Sequence, residues 1–130
     1  MKALRARLPL LLGDLILVAI VTLIGLQFHG TLESAPGRFW ATFVPFLAAW
    51  LLVGLPLGFF QARRWQRWRS LGWVVWGAVL AAPLAGLLRA LWLGSVVVPI
   101  FILILGGIVA VTLLAWRVIF MLLQKWMKSD

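Results

Sequence analysis

The chain has 130 residues, of which 65% are hydrophobic and 12% charged, with a net charge of +9; an ordinary soluble domain is roughly half apolar and about a quarter charged. A water-soluble fold of this size would lack the polar surface to cover itself, and the uniform composition gives a single membrane domain over residues 1–130. With no cysteine, disulfides, thiolate metal sites and thiol nucleophiles are excluded, and one histidine with three acids cannot furnish a zinc or di-iron cluster, so neither metal nor cofactor is expected.

Basic residues sit at the ends of apolar segments and do not form a continuous polar face, so the charge reads as topogenic and nucleic acid is not an expected partner. Crossing the hydrocarbon core takes about 20 mostly apolar helical residues. Four stretches meet that length, from about Leu8 to Phe28, Phe39 to Gln61, Leu71 to Trp92 and Val96 to Leu123. The predicted fold is an all-α polytopic bundle, because unpaired backbone groups are not tolerated in lipid.

The first stretch follows Lys2, Arg5 and Arg7 as a secretory signal would, but Asp14 interrupts it and no clean small-residue cleavage site follows. It reads as a retained helix. Pro9 and Pro99 fall near helix starts, where a missing N–H is harmless, while Pro45, Pro56 and Pro83 lie deeper and predict kinks. The polar stretch from His29 to Arg38 is a turn-rich loop, and Leu93 to Ser95 a tight turn.

Between the second and third spans, residues 62–70 pack Arg63, Arg64, Arg67 and Arg69 around Trp65 and Trp68. Arginine with interleaved tryptophan suits the headgroup layer, where it meets anionic lipid phosphate. One side of the membrane collects these arginines with Lys2, Arg5, Arg7, Lys125 and Lys128; the other has Arg38, with Arg89 near it. By the positive-inside rule both termini and the basic loop are cytoplasmic.

Ionisable side chains within spans are costly and mark functional hypotheses. Asp14 lies six residues past the start of the first span and Arg117 six before the end of the fourth, so both are roughly 9 Å deep. Opposite charges at matching depth predict an intramembrane ion pair, either a register pin or part of a pathway. On the outer side His29, Glu33 and Arg89 are expected to cluster; for His29, interfacial packing competes with a role in proton transfer.

The third span carries Ala78, Ala82, Gly86, Ala90 and Gly94, a small residue at every fourth position, which lets helices approach closely inside the bundle or in a homo-oligomer. Gly54 and Gly58 offer a second close contact on the second span. Among nine tryptophans, Trp40, Trp65, Trp68, Trp92 and Trp126 fall at predicted boundaries as an aromatic belt, and Trp50, Trp73, Trp76 and Trp116 lie deeper.

Gly13-Asp14, His29-Gly30, Pro45-Phe46 with Trp50-Leu51, Leu88-Arg89 and Trp116-Arg117 together resemble a prokaryotic family of small four-helix membrane proteins catalogued only as a domain of unknown function. The resemblance implies a four-span fold in a prokaryotic inner membrane and brings no activity with it. The residues favour a non-catalytic accessory or scaffold protein, as a homo-oligomer or a subunit of a larger complex. The alternative is an oligomeric transporter of ions, protons or small solutes. An enzyme is not expected, because Thr22, Thr42, Ser70, Ser95 and Thr112 have no His or acid nearby in sequence.

Overall fold

A computed structural model describes residues 2–129, with side chains from residue 7 onward except at position 62. Lys2 and Arg5, counted above among the topogenic charges, therefore have side chains outside the described set. The helices are α1 (Lys2–Phe28), the single turn α2 (Thr31–Ser34), α3 (Gly37–Gly54), α4 (Gly72–Leu93) and α5 (Pro99–Ser129). Four of them, all but α2, are long and apolar enough to cross a membrane, and no strand forms among the described residues. This is a multi-pass membrane protein.

α1 packs on α3 and α5, and α4 packs on α3 and α5, while the diagonal pairs make no close backbone approach among the described residues. The long helices thus form a four-cornered ring in the order α1, α3, α4, α5, with successive spans antiparallel. α1 contributes one narrow ridge, with Leu10, Asp14, Val18, Thr22 and Leu26 all buried at four-residue spacing. That spacing lies on one helix face. Its flanks, including Leu12, Ile16, Ile20 and Ile24, remain exposed as lipid-facing residues do.

The helix limits differ from the sequence expectations in ways that have physical causes. α1 begins at Lys2 and not near Leu8, so Pro9 lies inside the helix, on its exposed side, where losing one backbone bond is tolerated. α5 runs on to Ser129, whereas its start at Pro99 uses proline as a first helical residue. The second span stops at Gly54, seven residues short of Gln61. Pro56 cannot continue the ladder, and Gly58, at φ 71°, supplies a left-handed turn.

At 18 residues α3 is about 27 Å long, and the chain finishes the crossing as turns. Non-helical backbone at such depth must be shielded by protein. Residues Leu55–Phe60 fold back so that Phe59 and Phe60 are buried, 0% and 2% exposed. Phe59 N–H bonds to Gly54 O at 2.9 Å. The expected basic loop follows as two short 3₁₀ turns, Ala62–Gln66 and Trp68–Leu71.

Small residues set the close approaches. A Cβ at Gly77 would collide with the Phe59 ring, and one at Gly106 would come within 2.6 Å of Ala82 Cβ. Ala82 and Gly86 therefore face α5, where Gly86 meets Ile102, and Ala78 and Ala90 are buried. Gly94 departs from the predicted stripe: it is exposed and caps α4 at φ 61°, its N–H bonding to Ala90 O and Leu91 O.

Candidate functional site: a buried carboxylate–guanidinium pair

The structure brings Asp14 and Arg117 together. Arg117 Nη1 donates to Asp14 Oδ1 at 2.6 Å and Nη2 to Oδ2 at 2.7 Å, a bidentate fork joining α1 to α5. The two side chains are 2% and 0% exposed. Asp14 lies twelve residues from the start of α1 and Arg117 twelve from the end of α5, so antiparallel helices place them at one level.

Trp50 adds a third bond, its Nε1–H donating to Asp14 Oδ2 at 2.9 Å and tying α3 to the same carboxylate. Trp65 covers the other partner: the Arg117 guanidinium lies 4.8 Å from its ring centroid. The indole of Trp65 is itself fixed, Nε1 donating to Phe59 O at 2.6 Å. Phe59 then packs against Trp50, with ring centroids 5.3 Å apart. The folded-back segment closes over the pair, and the charges are shared among planar aromatic neighbours and each other.

Electrostatics favour this grouping. A lone buried charge costs several kcal/mol, and mutual attraction offsets that only with good geometry and further hydrogen bonds. Here the carboxylate accepts three charge-assisted or indole bonds. Arg117 Nε and Trp116 Nε1 are buried without a partner among the described residues. An apolar cavity of about 120 Å³ between α1 and α3 abuts the site, with Leu11, Leu47, Trp50 and Phe60 in its wall.

Two dipeptides build the joint between α1 and α5. Gly13 has no side chain, and a Cβ there would collide with the Trp116 indole; the absence of that atom lets α5 approach closely enough for Arg117 to reach Asp14. The sequence predicts the Asp14–Arg117 pair but not the Gly13–Trp116 contact beside it. It also missed Trp50 as a ligand of the carboxylate, and it placed Trp65 in the headgroup layer, whereas Trp65 is 0% exposed. The cause is the fold-back after Pro56, which carries Trp65 inward.

The expected outer cluster is not assembled. Arg89 Nε donates to Thr42 Oγ1 on α3 at 3.1 Å, and its guanidinium lies 4.3 Å from the Phe101 ring centroid on α5. No hydrogen bond or ion pair joins it to His29 or Glu33 among the described residues, and both of these are exposed. A buried hydroxyl and a ring satisfy Arg89 within the bundle, while water satisfies the other two. Of the four loop arginines, Arg63, Arg67 and Arg69 are exposed; Arg64 turns back over Trp73 at 4.8 Å.

Two threonine hydroxyls of the spans are bonded within their own helices. Thr22 Oγ1 donates to Val18 O at 2.8 Å and Thr112 Oγ1 to Ile108 O at 2.9 Å. No group of three or more His, Cys, Asp or Glu capable of holding a metal occurs among the described residues. Chemically, the site can hold three helices in register and keep two opposite charges out of lipid.

A family model described as "Protein of unknown function (DUF3054)" matches residues 11–120, which include every residue of the pair and its aromatic shell. No curated protein and no solved structure matches the chain. A small four-span helical bundle whose matched region begins in its first helix, α1, and ends in its last, α5, the chain belongs to this family of uncharacterised proteins.

Proposed function

We propose that this protein is a non-catalytic membrane subunit, acting as an accessory or scaffold element with copies of itself or within a larger complex. It resides in a prokaryotic inner membrane with both ends and the basic turns on the cytoplasmic side, where Arg63, Arg67 and Arg69 meet anionic headgroups. One observation carries the reading: the intramembrane charges Asp14 and Arg117 are spent on each other in a buried aromatic enclosure. Groups that relay ions or protons need access to water and freedom to exchange partners.

Support for a scaffold comes also from the exposed apolar flanks of α1 and α5, which are available to lipid or to a neighbouring subunit. The test is extraction in a mild detergent or nanodisc followed by native mass spectrometry, paired with ion and proton flux into proteoliposomes. A defined assembly with background flux, unchanged by Asp14→Asn, supports the subunit. Flux through the native protein that Asp14→Asn abolishes would replace it with the transporter reading, in which Asp14, Arg117, Arg89 and His29 line a route.

A further inference from the structure

At the basic end, a cavity of about 70 Å³ opens between the first 3₁₀ turn and the last turns of α5, lined by Trp65, Gln66, Met121, Gln124, Lys125 and Lys128. We propose that it binds one anionic phospholipid through a headgroup that carries both a phosphodiester and a free hydroxyl, the phosphatidylglycerol class.

Two lysines supply cationic donors only, and a phosphodiester supplies acceptors only, so they match. The amide of Gln124 asks for something else. Its Oε1 is buried with no donor among the described residues, and a buried acceptor left unmet is costly. A phosphodiester cannot meet it; a headgroup hydroxyl can. Fully ionised phosphatidic acid has no hydroxyl to donate, and ethanolamine or choline would put a cation beside two lysines.

A lipid, and not a soluble phosphate ester, fits the surroundings. Met121 and the buried Trp65 form an apolar part of the lining, and the pocket opens at the end of a membrane-length helix, the level at which lipid headgroups lie. Lys125 is steadied by Trp68, its Nζ 5.7 Å from the ring centroid. The described acids do not compete: Asp14 is held by Arg117, and Glu33 lies at the opposite end of the bundle. The proposal rests on the basic end meeting the anionic leaflet and adds a specific pocket to that general attraction.

The full chain in neutral detergent is titrated with phosphatidylglycerol, phosphatidic acid, phosphatidylethanolamine and phosphatidylcholine, and adducts are counted by native mass spectrometry. One phosphatidylglycerol per chain is expected, bound at least tenfold more tightly than phosphatidylcholine. Lys125→Gln with Lys128→Gln should weaken it at least tenfold, with Arg at both positions restoring binding. Gln124→Leu should lower phosphatidylglycerol to the level of phosphatidic acid. Arg63→Gln/Arg67→Gln/Arg69→Gln should weaken both anionic lipids alike and leave their ratio unchanged.

Retention within twofold in the double lysine variant overturns the pocket; if the triple arginine variant then loses anionic lipid, the leaflet reading survives, and if it too is unaffected, that reading falls with it. Equal binding of glycerophosphoglycerol, the same headgroup diester without acyl chains, would also overturn a lipid occupant. Circular dichroism of each variant confirms that the helices are intact.

Discussion

Arg117 holds Asp14 with both terminal nitrogens, 2.6 and 2.7 Å from the two carboxylate oxygens, in a side-chain environment with almost no exposure. Such a pair is unforgiving of the loss of one partner. Asp14→Leu leaves a buried guanidinium without its counter-charge, and Arg117→Met leaves a carboxylate with only Trp50. Each single substitution should destabilise the bundle by about 3–5 kcal/mol, read as a lowered unfolding midpoint in detergent by tryptophan fluorescence.

Trp50→Phe keeps the ring that packs on Phe59 and removes only the indole donor to Asp14. A hydrogen bond to a charged group contributes about 1.5–3 kcal/mol, so this variant should lie between the native protein and the Asp14 single variant. A midpoint indistinguishable from native would mean that the carboxylate is satisfied without Trp50.

Adjacent glycines on α5 give a contrast in one turn of helix. Gly106→Ala would bring two β-carbons to 2.6 Å, whereas a Cβ at Gly107 meets nothing within 4 Å. The first change should cost about 1–3 kcal/mol through overpacking. The second should be neutral or stabilising by up to about 1 kcal/mol, because alanine is the better helix former. Equal effects would place the α4–α5 contact elsewhere.

Much of the architecture is written in hydropathy: four apolar runs of membrane length correspond to α1, α3, α4 and α5. The Asp14–Arg117 contact was accessible as well, since two opposite charges equidistant from the same membrane face have few other partners. The fold-back was not. Pro56 and Gly58 announce a break in the second span, but nothing in the run of residues says that Phe59, Phe60 and Trp65 turn inward. An Arg–Trp alternation looks the same whether the indole sits among headgroups or under a guanidinium. The partner of Arg89 was hidden for a similar reason, because Thr42 is an unremarkable hydroxyl on another helix and the more conspicuous polar residues, His29 and Glu33, stay in water.

The absence of native cysteine makes topology directly measurable. Single cysteines introduced as Ser34→Cys and Ser70→Cys lie at opposite ends of the bundle, in α2 and in the second 3₁₀ turn. In whole cells a membrane-impermeant maleimide should label the first and spare the second until the membrane is opened. The reverse pattern would invert the proposed orientation.

The role of Asp14 and Arg117 as mutual structural partners is best decided by the unfolding free energy of Asp14→Leu/Arg117→Met set against the two single variants. Replacing a buried pair by apolar residues of similar volume is often neutral or stabilising. The double variant should therefore recover to within about 1 kcal/mol of the native protein, far from the sum of the single losses. Additive losses in the double variant would contradict the pairing and show that each charge answers to something else in the membrane.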